Sequence, residues 1–137
     1  MGIAYLGCMV LAASIYHLPP RILPSIQAVE GGGNGLVHHN ANGTDDLGIM
    51  QVNTRWIFPI ARYTHVPPLM VYRNLLENPC YNISAAGAIL RTYLNETRGD
   101  PMRAIGNYHS HTAPLNEAYQ MQVLSSARRL FGPRPHS

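Results

Sequence analysis

The chain has 137 residues, which suits one domain and leaves no room for a second sizeable core. It is 46% hydrophobic and 12% charged, a balance that favours folding over disorder. All ten cationic side chains are Arg, which excludes a Lys Schiff base, a phosphate-loop Lys and a Ser–Lys dyad. The net charge of +3 suits an anionic partner such as a cell-wall polymer, a nucleic acid or an acidic membrane face. The Arg residues are scattered and no nucleic-acid-binding module accompanies them, so no nucleic-acid partner is expected. Only seven acids are present: Glu30, Asp45, Asp46, Glu77, Glu96, Asp100 and Glu117. An acid–base enzyme built on this sequence works with few carboxylates.

Residues 1–14 are apolar, carry no basic stretch and are too short to span a bilayer, which predicts an amphipathic first helix. Met1 then reads as a substitute start, with any export signal outside this chain. Cys8 and Cys80 show no CxxC pattern. In a reducing compartment they are two buried thiols; in an oxidising one they can close a loop of about 70 residues. Leu18-Pro19-Pro20 breaks the first helix, and Pro20 opens a second over 21–30, with Ile22, Leu23, Ile26 and Val29 on its buried stripe. Gly31-Gly32-Gly33 stops it. The polar stretch 34–46 predicts a long loop or small hairpin, and Asp45 or Asp46 is placed to cap a short helix over 47–53.

A less regular stretch follows through Trp56, Pro59, Pro67 and Pro68. A helix is predicted over 69–76, ended by Asn78-Pro79-Cys80. Ile83, Ala86, Leu90, Tyr93 and Leu94 mark the apolar face of a helix over 81–96, and its small residues Ala85 to Ala88 permit close packing. Asp100 as N-cap and Pro101 behind it open a helix towards Tyr108. Residues 109–112 read as a turn, and Leu115, Tyr119, Val123, Ala127 and Leu130 line a last amphipathic helix. Residues 132–137 read as a loose tail, which leaves one domain with its core over about 8–131. The sequence shows no repeat, transmembrane span or low-complexity tract.

Three features carry chemistry. Glu30 closes an apolar helix directly before three glycines. The negative end of the helix dipole and apolar neighbours both disfavour its ionised form, which suits a general acid near neutrality, although the same residue reads equally as an exposed helix-end Glu. The glycines beside it leave room for an extended polymer to approach the backbone. Gly48-Ile49-Met50-Gln51 sets backbone N–H groups and one amide beside a site, although the same residues also read as capping plus a core Met. Asn107-Tyr108-His109-Ser110-His111, with Asn116 and Tyr119, offers hydrogen bonds on semi-apolar platforms, as sugar recognition requires. His38-His39 and the His109/His111 pair lack matching Cys or carboxylate spacing, so no metal and no cofactor is expected.

In that order, Glu30, Gly48-Ile49-Met50-Gln51 and Tyr108 resemble the lysozyme-like lytic transglycosylases, whose usual pattern is a Glu-Ser, a Gly-Leu-Met-Gln and an Ala-Tyr-Asn. The likeness is strongest to the small specialised enzymes of conjugation, type IV secretion and type III secretion systems. It rests on the run from Asn40 to Asn53, on Asn78-Pro79-Cys80-Tyr81-Asn82-Ile83, and on Ala104-Ile105-Gly106-Asn107-Tyr108-His109-Ser110. The resemblance spans about residues 8–131.

It implies an α+β, predominantly α-helical, lysozyme-like fold with Glu30 in a cleft between two lobes. It also implies cleavage of the β-1,4 bond between N-acetylmuramic acid and N-acetylglucosamine, with Glu30 as acid and then base. Gly48, Ile49, Met50, Gln51, Asn53, Tyr108, His109 and Tyr119 are the implied substrate-binding set. Within it, Tyr108 is expected to hydrogen-bond near Glu30, and Tyr119 to support it. Cys8 and Cys80 match the paired cysteines of secretion-associated members, which implies a disulfide and a periplasmic or exported protein. Peptidoglycan glycan strands are the implied partner, together with components of a secretion or conjugation apparatus. Two residues depart from the broad pattern: Gly31 stands where Ser is usual, and His109 where Asn is usual. Two rivals stand beside this reading. A lysozyme-type hydrolase needs a second carboxylate, for which Asp46 is the candidate; a non-catalytic wall-binding assembly factor needs none.

Overall fold

The computed structural model describes residues 2–133; Met1 and residues 134–137 of the tail expected to be loose lie outside the described residues. The α+β, predominantly α-helical class expected from the sequence is the class observed, with seven α-helices and a three-stranded antiparallel sheet among the described residues. Helix α1 (Leu6–Tyr16) turns Met9, Ala12 and Ala13 into the core and leaves Leu6, Val10, Leu11 and Ile15 exposed. It is apolar all round and carries no charge, so the amphipathic helix expected here is not what forms. A disulfide joins Cys8 to Cys80 with 5.4 Å between their Cα atoms, tying α1 to the first turn of α5.

Helix α2 (Ile22–Glu30) buries Ile22, Leu23 and Ile26, as its spacing predicted. It stops because Gly31 takes a left-handed conformation (φ 62°) and its N–H donates to the Gln27 carbonyl. The chain then forms β1 (Val37–His39) and β2 (Asp45–Leu47), an antiparallel hairpin pairing Val37 with Leu47, and β3 (Val52–Asn53) pairs with β2.

The short helix predicted over 47–53 is therefore absent. Gly48 and Gln51 lie at φ 73° and 53°, left-handed values that a right-handed helix cannot contain, and Asp45 and Asp46 are strand residues, not caps. The stretch read as irregular contains a 3-10 turn (Thr54–Trp56) and α3 (Ile57–Thr64). Pro59 misled the sequence reading. It occupies the first turn of α3, where an N–H has no intrahelical acceptor to lose.

Helices α4 (Pro68–Glu77), α5 (Pro79–Glu96), α6 (Pro101–His109) and α7 (Ala113–Phe131) follow, each opening on a proline within its first turn. The Asp100 side chain accepts from the Arg103 N–H, so α6 starts where the sequence placed its cap. Helix α5 starts two residues before the predicted 81, capped by Asn78, whose side chain accepts from the Tyr81 N–H and which the sequence suggested only as the end of the preceding helix. Helix α5 is central, packing on α1, α4 and α6. Its small residues earn that position: a Cβ on Gly87 would crowd the Tyr16 ring of α1. Ile83 and Leu90 are fully buried, each contributing about 1.5–3 kcal/mol of transfer free energy. No helix among the described residues is long and apolar enough to cross a membrane.

Candidate active site

Glu30 is the last residue of α2, and α2 packs on α7. Across that interface Tyr119 Oη donates to Glu30 Oε2 at 2.5 Å. Two turns further along α7, Ser126 Oγ donates to the Ser25 carbonyl at 3.0 Å and holds the two helices in register. The His109 ring lies flat on Tyr119, with centroids 4.8 Å apart and planes 9° from parallel. Burial raises the Glu30 pKa above its ordinary value of 4.5. The Tyr119 hydrogen bond lowers it, the Asp46 charge raises it and His38 lowers it, and the balance stays upward. Tyr119 itself is pushed far up by burial and by the Glu30 charge, so its hydroxyl remains a donor.

Tyr108 hydrogen-bonds near Glu30, as expected, but not to it. Its hydroxyl donates to the Met50 carbonyl at 2.8 Å, and the tyrosine that bonds Glu30 is Tyr119. Tyr108 thereby pins the loop after β2 to α6. The same loop is held from the other side by Asn82, a fully buried amide near the start of α5. Asn82 Nδ2 donates to the Leu47 and Leu75 carbonyls, and Oδ1 accepts from the Met50 N–H, each at 2.8 Å. A Cβ on Gly48 would collide with the Leu75 carbonyl and the Asn82 amide. A Cβ on Gly32 would collide with the Gly48 and Ile49 carbonyls. The glycine run after Glu30 thus admits the protein's own loop at Gly32, where the sequence had suggested room for a polymer.

Between the helical side and the hairpin lies a cleft of about 390 Å³. Six of the sequence-predicted residues line it: Glu30, Asp46, Gln51, Asn53, Tyr108 and His109. Tyr119 supports Glu30 from behind. Gly48, Ile49 and Met50 are not part of the lining. The Ile49 and Met50 side chains are buried in the core, and the Gly48 carbonyl accepts from Gln51 Nε2 at 2.9 Å. Asp46 accepts from Asn53 Nδ2 at 3.0 Å and lies 3.9 Å from His38 Nδ1.

Sequence reasoning missed Arg55, Trp56 and Ile89, which also line the cleft. Arg55 donates to Tyr93 Oη at 3.2 Å and sits 5.7 Å from the Trp56 ring centre. A cation followed at once by an aromatic, just past the Gly48–Gln51 motif, was the available signal. For Asn82 the signal was one amide on an otherwise apolar helix face. No group of three or more His, Cys, Asp or Glu able to hold a metal occurs among the described residues.

The sequence matches the transglycosylase SLT domain over residues 7–129, and the chain belongs to that family. This is the family its three ordered motifs resemble. The chain is 25% identical to "Invasion protein IagB" of Salmonella typhimurium (strain SL1344), over 94% of this chain and 80% of that protein. It is 26% identical to "Protein IpgF" of Shigella sonnei, over 94% and 84% respectively. It is also 26% identical to a "Peptidoglycan-binding-like protein" of Escherichia coli O157:H7, over 89% and 74%.

Proposed function

We propose that this chain is an active peptidoglycan lytic transglycosylase in which Glu30 alone serves as acid and base. Protonated Glu30 gives its proton to the oxygen of the β-1,4 bond between N-acetylmuramic acid and N-acetylglucosamine, and the bond from that oxygen to C1 breaks. The muramic 6-hydroxyl then gives its proton to the Glu30 carboxylate as its oxygen bonds to C1. The products are a 1,6-anhydro end and a glycan end with a free hydroxyl, and Glu30 is again protonated. The substrate's own N-acetyl group stabilises the cationic centre between the two steps. Gln51, Asn53, Tyr108 and His109 bound the sugar site, and Tyr119 keeps the carboxyl aimed.

The observation that carries this reading is the Glu30 carboxyl itself, with its pKa raised by burial and its Oε2 held by Tyr119 in a cleft wall. A cycle that uses one carboxylate twice also suits a cleft whose other acid, Asp46, is engaged by Asn53. The protein acts in the periplasm or outside the cell, where the Cys8–Cys80 bond persists. There it opens the wall locally for an envelope-spanning secretion or conjugation machine, a role supported by its likeness to a protein named for invasion. No nucleic acid, cofactor or metal enters the proposal.

Digestion of purified peptidoglycan followed by mass spectrometry tests it. Anhydro-muropeptides are the expected product. New reducing ends would assign a muramidase, with Asp46 activating water. No release by the folded protein would assign a non-catalytic assembly factor.

A further inference from the structure

A second cavity, of about 380 Å³, adjoins the cleft and is lined mostly by apolar groups. One face of α5 makes its floor, where Ser84, Ala85 and Ala88 recur at helical spacing and leave it open. Ile60 and the exposed Tyr63 of α3 form one side. Tyr81 and Arg91 stand near its two ends, ten positions apart on the helix, or roughly 15 Å at 1.5 Å per residue. Trp56 and Ile89 line this groove and the cleft alike, so the two are neighbours across these side chains.

The ends of the groove carry unspent hydrogen-bonding capacity. Among the described residues, Tyr81 Oη and Arg91 Nε are the buried side-chain polar atoms without a hydrogen-bond partner. Arg91 is not a loose surface cation, because its Nη1 donates to the Tyr16 and His17 carbonyls at 3.3 Å each. That anchors the guanidinium through Nη1 and leaves the Nε–H unspent, and no carboxylate lines the groove to answer its charge. Buried donors left unpaired are costly and call for a partner. The complementary ligand is elongated, largely apolar along its middle, able to accept a hydrogen bond at one end and anionic at the other. An extended peptide of four residues reaches roughly 14 Å at up to 3.6 Å per residue, close to the helix rise between Tyr81 and Arg91.

We propose that the groove takes the peptide stem of a wall polymer whose glycan backbone lies in the cleft, an inference that rests on the transglycosylase reading above. A stem carboxylate accepts from Arg91, and a stem carbonyl accepts from Tyr81 Oη. The groove thereby selects peptide-bearing strands over strands stripped of peptide.

Calorimetric titration of the Glu30→Gln protein with soluble glycan fragments, with and without the peptide stem, tests this without requiring turnover. The peptide-bearing fragment is expected to bind about tenfold more tightly. Adding Ala88→Trp, which fills the floor, should erase that advantage; adding Tyr81→Phe should cut it about threefold, and melting curves check that both variants fold. In the active protein the same two changes should leave the rate on stripped strands unchanged. Equal affinity for the two fragments, or an advantage that survives both changes, overturns the proposal. So does a concentration-dependent dimer that Ala88→Trp abolishes, since a second copy would then occupy the groove. If the active protein cuts neither strand while the peptide-bearing fragment still binds in the groove, the transglycosylase reading has failed and the peptide site has not.

Discussion

On the helical wall of the cleft, Glu30 is fixed by periodic packing: α2 lies on α7, and Tyr119 and Ser126 reach across two turns apart. Behind the opposite wall, residues 48–51, of which Gln51 alone lines the cleft, follow no period. They hold their shape through two left-handed residues, a close approach to Gly32, the Tyr108 hydroxyl and the three hydrogen bonds of Asn82. Glu30 thus rides on a redundant frame, where many apolar contacts share the load. The loop facing it hangs on a few polar bonds, each of which matters alone.

The largest expected effect comes from loosening the frame. Reducing the Cys8–Cys80 bond, which spans 72 residues of sequence, should cost about 4 kcal/mol on the chain-entropy model, read as a lower denaturant midpoint in reductant. Next comes the loop. Asn82→Leu strands the Met50 N–H and two carbonyls, and should cost about 3 kcal/mol while slowing turnover by disordering the loop. A neutral Asn82→Leu would show that the loop has supports other than this amide.

Tyr119→Phe should keep the fold and lower turnover by roughly tenfold, about the worth of one charge-assisted hydrogen bond. Its pH profile carries the sign. On the proposed mechanism turnover needs protonated Glu30 and falls as pH rises through the Glu30 pKa. The Tyr119 bond lowers that pKa, so the variant's alkaline limb should move to higher pH. A limb that moves down would mean that the hydrogen bond favours the neutral acid.

The smallest effect is on stability. Because the Glu30 pKa is raised on folding, the native state binds more protons than the unfolded chain between 4.5 and the raised value. Stability from this group is therefore present below that window and is lost as pH rises through it. Glu30→Gln should melt progressively higher relative to the unsubstituted protein as pH rises from acid to neutral.

The same contrast explains what the sequence made legible. Helices α2, α5, α6 and α7 were readable because apolar spacing and, for α6, the Asp100-Pro101 cap act locally. Glu30 stood out because it ended one of them before glycines. The loop was not readable, since nothing local distinguishes Gly48 and Gln51 in left-handed turns from the start of a helix. The decision is made by Asn82, more than thirty residues away. Tyr108 and Tyr119 were both visible as candidates, but their assignments depended on how α6 and α7 sit against α2, a tertiary fact. The groove along α5 was legible only as small residues suited to close packing, which they also provide at Gly87.

That Glu30 carries both proton transfers alone is tested most directly by comparing Glu30→Gln with Asp46→Asn on purified peptidoglycan, counting anhydro-muropeptides by mass spectrometry. Glu30→Gln should lose about a thousandfold in rate, while Asp46→Asn stays within about threefold of the unsubstituted protein and yields the same anhydro ends. Retained release by Glu30→Gln contradicts the assignment. So does an equal loss in Asp46→Asn when the unsubstituted protein produces new reducing ends.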